Sequence, residues 1–197
     1  MKGKVLRMNV TQFVMAYGVE QDWLRAILPE GFVSLRPVLR INAEVRDGTT
    51  GYVEFNTAVE KDGVRGWLNI GSWEGVPFRQ EGKTTVFEPE FLTISFTGVG
   101  IEGSCPAEKD NGGCYFPDAV PQLRAPEIID ANKEFCDCTF AWHFSENDAH
   151  GVSIGKTLPA IPTEVQTVYP RQAFTAANAA AIPCQQVLGT YMVKFTR

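Results

Sequence analysis

Histidine is scarce in this sequence, positive charge is in deficit, and no long uncharged apolar run occurs; each shortage removes a class of function. The two histidines are His143 and His150. A Ser-His-Asp or Cys-His arrangement would have to use one of them, and neither lies in a motif of that kind. His143 falls on a predicted strand and reads as a hydrogen-bonded structural residue, and His150 beside Gly151 as a solvated loop residue. The net charge of -5 leaves no sustained basic surface for neutralising phosphates, so nucleic acid is excluded as a partner. No apolar run approaches the roughly 18 residues needed to cross a bilayer, so no membrane partner is expected. Met1 to Arg7 holds no apolar segment of signal-peptide length. Five cysteines, an odd number, suit reduced thiols in a cytoplasm better than a disulfide framework.

Metal and cofactor signatures are missing as well. Cys136-Asp137-Cys138 leaves a single residue between two thiols, and Cys105 and Cys114 are too far apart for the usual zinc pairs. The expectation is no metal, with the cysteines acting as small buried side chains. Neither a G-x-G-x-x-G stretch nor a phosphate-cradling loop is present, and no cofactor is expected.

What is present is the composition of an ordinary folded domain, 44% hydrophobic and 21% charged, over a length that suits one core. Residues 1–197 are therefore expected to form a single domain. Val19, Trp23 and Ile27 recur every fourth position, as do Leu24 and Leu28, which predicts one short helix over residues 19–28 before Pro29. Beyond Gly31 the period changes to alternation, with turn residues every eight to twelve positions. Strands are predicted at 38–45, 52–59, 64–73, 84–87, 91–99, 136–144 and 187–195. The Gly- and Pro-rich stretches 102–126 and 145–163 read as long loops, the first with a turn of helix near Ile128 and Ile129.

The strand 38–45 places Leu39, Ile41, Ala43 and Val45 on one face and Arg40, Asn42 and Glu44 on the other. After the Asp47-Gly48 turn, Tyr52, Glu54 and Asn56 alternate against Val53 and Phe55 in the same way. Paired as a hairpin, the two polar sets share one side of the sheet. Alternation alone leaves open whether that side meets solvent through cross-strand ion pairs or lines the interior of a barrel. Lys83 stands where a turn enters the strand 84–87. It reads either as an exposed turn residue or, if burial or a nearby cation depressed its pKa, as an amine able to attack a carbonyl.

The order of these signals resembles the acetoacetate decarboxylase-like superfamily. The likeness runs through Tyr17 to Glu30, a helix closing on an apolar-Pro-Glu step, then Arg36 to Ile41, a glycine-containing turn, Tyr52 to Phe55, and Gly63 to Gly66. Ala181-Ile182-Pro183 and the final strand carry it in the second half. The resemblance implies a mainly β fold: a closed, antiparallel, cone-like barrel with a few peripheral helices, an enclosed pocket, and assembly into homo-oligomers. It places Glu54 on an active-site carboxylate, Asn42 where the decarboxylase has a further glutamate, and Val10 near an active-site arginine. The decarboxylase's adjacent lysine pair is absent, and Lys83 is the lysine of the corresponding region.

Two functions follow as expectations. In the first, the protein acts as a Schiff-base lyase on a small carbonyl or keto-acid compound, with Lys83 forming the imine, Glu54 orienting substrate or moving a proton, and Arg40 and Asn42 binding. In the second, the same barrel is a noncatalytic small-molecule-binding protein. Retention of Glu54 favours the first, and the missing lysine pair with Asn42 favours the second.

Overall fold

The computed structural model describes residues 7–102, 114–123, 128–144 and 171–197. The chain runs β1 (Asn9–Gly18), α1 (Gln21–Ile27), β2 (Val33–Arg46), β3 (Thr50–Lys61), β4 (Val64–Glu74), β5 (Phe78–Glu81) and β6 (Thr84–Phe87). It continues through β7 (Leu92–Glu102), β8 (Cys114–Phe116), β9 (Gln122–Leu123), β10 (Ile128–Trp142), α2 (Ala176–Ala180) and β11 (Gln186–Thr196). The strands form one sheet in the order β5-β6-β7-β10-β11-β1-β2-β3-β4-β8-β9. No helix among the described residues is long and apolar enough to cross a membrane.

The hairpins follow local chemistry. Asp62-Gly63 joins β3 to β4 with both residues at positive φ, the geometry whose twist matches paired strands. Asp47 and Gly48 are likewise at positive φ between β2 and β3. At Gly51 a Cβ would lie 2.1 Å from the Val76 carbonyl oxygen, so only glycine lets the segment before β5 dock there, where Val76 N donates to Gly51 O at 3.0 Å.

Several elements depart from the sequence reading, β5, β9 and α2 among them. The sheet is mixed, not wholly antiparallel: β8 lies parallel to β4, with Trp67 opposite Tyr115 and Leu68 opposite Phe116. Gly66 permits that pairing, since a Cβ there would sit 2.9 Å from the Cys114 carbonyl oxygen. Ile128 and Ile129 begin β10 and pair with Thr196 and Phe195 of β11, so the turn of helix expected there is strand. β1 reads poorly as a strand because both its faces are buried, which replaces alternation by an almost unbroken apolar run. The stretch 145–163 lies outside the described residues.

The sheet bends back on its apolar face. Phe13 of β1 stands 5.1 Å from Phe96 of β7 and 5.9 Å from Phe87 of β6, although β11 and β10 separate these strands in the hydrogen-bonded order. Phe55 of β3 meets Trp142 of β10 at 4.7 Å. Leu39, Ile41, Ala43, Val45, Val53 and Phe55 all enter this core, which fixes the opposite direction for Arg40, Asn42, Glu44 and Glu54.

Candidate functional site

The β2–β3 ladder sets Arg40 opposite Asn56, Asn42 opposite Glu54, and Glu44 opposite Tyr52. All of these side chains are buried: Arg40 is 6% exposed, Asn42 2%, Glu54 3% and Asn56 1%. The reading of this face as a solvent-facing array of ion pairs is thereby excluded. A polar set withdrawn from water must find partners or leave its groups at a cost.

One half of the face is fully committed. Glu44, with no exposed side-chain surface, accepts from Gln12 Nε2 at 3.0 Å and from Arg46 Nε at 2.7 Å. Arg197 closes the cluster, its Nη2 donating to Glu44 Oε1 at 2.7 Å. Arg46 spans onward to Glu74 at 2.7 Å and lies over the Tyr52 ring. Val10, where the resemblance placed an arginine, packs with Val14, Tyr191, Val193 and Phe195 and is directly opposite Arg46.

The other half retains unmet polar atoms among the described residues. The Arg40 guanidinium lies 4.7 Å above the Trp67 ring and donates from Nη2 to the Tyr191 hydroxyl at 3.3 Å. Among the described residues its Nε has no hydrogen-bond partner, nor do Asn42 Oδ1 and Asn56 Oδ1. Beside them the Tyr52 hydroxyl donates to Glu54 Oε2 at a long 3.4 Å. Burial, and next to it the charge of Glu54, holds the Tyr52 phenol well above its ordinary range, so it stays a donor at neutral pH. A cation, a carboxylate and two amides thus meet within two cross-strand rows, with three of their polar atoms unmet.

The structure brings together Arg40, Asn42 and Glu54, three of the four residues singled out from the sequence. Lys83 stands apart. It is exposed in the two-residue loop joining β5 to β6, where Glu81 pairs with Thr84 and the Lys83 carbonyl accepts from Gly98 N at 2.8 Å. Among the described residues no hydrogen bond or ion pair joins it to the Glu54 face. His143 is exposed at the end of β10, its Nε2 2.9 Å from Thr93 Oγ1. Trp67 and Tyr191, which hold the Arg40 guanidinium, carried no local signal, and Asn56 was visible only as part of the alternating polar set.

No family model matches the sequence, and no curated protein does so either. Solved structures do. Acetoacetate decarboxylase from Legionella pneumophila is similar with a TM-score of 0.62 at 10% identity, over 96% of this chain and 84% of that one. An acetoacetate decarboxylase-like enzyme from Sphingomonas wittichii gives 0.59 at 7% identity, over 96% and 88%. The enduracididine biosynthesis enzyme MppR, in complex with pyruvate, gives 0.56 at 11% identity, over 99% and 90%. At such identities the likeness is one of architecture, and it extends over nearly the whole of each chain: this protein has the mainly β fold of acetoacetate decarboxylase and its structural relatives.

Proposed function

We propose that the Glu54 face binds a small carbonyl or keto-acid compound, with Arg40 receiving its anionic group and Asn42 and Glu54 contacting its polar end. The observation that carries this is the cluster of unmet atoms, Arg40 Nε, Asn42 Oδ1 and Asn56 Oδ1, on neighbouring positions of one buried face. Each unpartnered buried group costs about 1–3 kcal/mol, and such a concentration is explained if a ligand supplies the partners. The shared architecture with MppR, which was solved with pyruvate bound, supports a ligand of that size and class.

The reaction open to the enzymatic form of this reading is imine formation: the free amine of Lys83 attacks a carbonyl carbon, water leaves, and the iminium draws electrons from the adjacent bond. Lys83 is exposed in the hairpin loop between β5 and β6, away from the Glu54 face. That position favours binding without imine chemistry at this residue.

Calorimetric titration with pyruvate and acetoacetate tests the site, and borohydride treatment followed by peptide mass analysis tests the imine. The expected result is saturable binding that Arg40→Gln weakens at least about tenfold, without a reduced adduct on Lys83. An adduct on Lys83 establishes the Schiff-base reading instead. Absence of binding by every carbonyl probe overturns the site.

A further inference from the structure

We propose that the compound bound on the Glu54 face carries an apolar side group of several carbons, which extends from the end held by Arg40 along Ala16 and Gly189 towards Leu188. This rests on the reading of that face as a keto-acid site and specifies which keto acids it selects, those with an extended alkyl substituent.

Gly189, Ala16, Arg40 and Asn56 stand in one row across β11, β1, β2 and β3, each directly opposite the next. Exposure falls along that row: Gly189 is exposed, Ala16 half-buried, and Arg40 and Asn56 buried. The row is a way in from solvent to Arg40, about 10 Å long over two strand spacings. Its outer two members have almost no side chain. A Cβ added at Gly189 would have nothing within 4 Å among the described residues. Tyr191, the next residue of β11 on this face, reaches across to Arg40, so Gly189 leaves a gap beside a filled position.

Small residues alone require no ligand; the inner end of the strip does. Arg40 is 6% exposed, and its Nε has no partner among the described residues. That N–H is a donor whatever its surroundings, and a carboxylate at the end of the strip supplies its acceptor. The two sides of the face then differ in chemistry. Towards β4, Asn56 and Glu54 are opposite Asn69 and Ser72, which suits the carbonyl end of the ligand. Towards β11 the border is apolar. Leu188 is the extra residue where the β1–β11 register shifts between Ala16 and Tyr17. Its Cδ2 lies 3.9 Å from where a Gly18 Cβ would be, which places it on the face that Gly18 shares with Ala16. Leu188 is 52% exposed, and an alkyl group lying in the strip would withdraw both itself and this leucine from water.

Calorimetric titration of the full chain compares pyruvate with 2-oxohexanoate, which share the carboxylate and ketone and differ by three methylenes. 2-Oxohexanoate is expected to bind about tenfold more tightly, the gain from three methylenes half withdrawn from water. Gly189→Val fills the strip where there is room for a side chain, with a residue that suits a strand, and is expected to bring the ratio of the two dissociation constants towards one. Leu188→Ser, at an exposed position, is expected to shrink the ratio about threefold and carries the test if valine at 189 is not tolerated. Equal binding of the two probes, or tighter binding of pyruvate, overturns the proposal and leaves the site reading intact. A preference for 2-oxohexanoate that neither variant alters overturns it too, since the alkyl group then lies elsewhere. Failure of both probes, together with acetoacetate, overturns the site reading and this proposal with it.

Discussion

Asn42 and Glu54 face each other directly across the β2–β3 ladder, and both are buried. A second carboxylate at position 42 would set like charges opposite one another in a poorly hydrated place, and the amide avoids that repulsion while keeping two hydrogen-bonding atoms. Asn42→Asp is therefore expected to lower stability at pH 8 by at least about 1 kcal/mol, and by less at pH 4, where protonation relieves the pair. Urea unfolding at the two pH values measures the difference. An equal loss at both would show that charge is not what position 42 responds to.

Glu44 anchors the committed half of the face. Its carboxylate is wholly buried and joins β2 to Gln12 of β1 and to Arg197 beyond the end of β11. Replacing it by leucine removes the carboxylate that Gln12, Arg46 and Arg197 share, although Arg46 keeps Glu74 and both arginines retain some contact with water. The expected cost is about 3 kcal/mol, the lower part of the range for breaking a buried pair. Arg197→Ala is expected to cost less, since Arg46 and Gln12 still hold the carboxylate. Thermal unfolding of the two variants checks both the size and the order of the losses.

Legibility in the sequence followed the range of the interactions involved. β2 and β3 could be read because one face of each is apolar and the other polar, and their hairpin set Arg40, Asn42 and Glu54 on the same side. The Arg40 cradle could not be read, because Tyr191 is 151 residues away and Trp67 belongs to the next hairpin. β8 owes its existence to an edge provided by β4, and β5 to a partner four residues long, so neither has a pattern of its own. The start of β10 is defined by the last residues of the chain, which no local window contains.

Lys83 offers a separation between surface and site. As an exposed residue of a two-residue hairpin loop, it is expected to tolerate Lys83→Ala with less than about 0.5 kcal/mol change in stability. Pyruvate affinity is expected to stay within about twofold of the unaltered protein, because the residue lies off the Glu54 face. Loss of binding in a variant of unchanged stability would tie Lys83 to the ligand and return the Schiff-base reading to first place.

The cysteine pair on β10 supplies a prediction in alkaline solution. Burial, and after it the charges of Glu134 and Asp137, pushes the Cys136 thiol up to about 11. Burial, and after it Cys136, pushes Cys138 up to about 12. At pH 8 about one in a thousand Cys136 side chains, and fewer of Cys138, is the reactive thiolate. Cys184 is exposed after α2, so iodoacetamide at pH 8 is expected to modify it well before the β10 pair, which reacts once the protein is unfolded. The same shifts set the sign of a stability change. Folded-state values above the unfolded value of about 8.5 mean that the contribution is fully present below that pH. As the pH rises from there towards 11 and 12, the unfolded chain loses protons that the folded chain keeps, and stability falls. Replacing both thiols by serine is expected to remove that part of the alkaline loss, and unfolding midpoints between pH 8 and 11 measure it; an unchanged alkaline slope in the double variant would assign the loss to other groups.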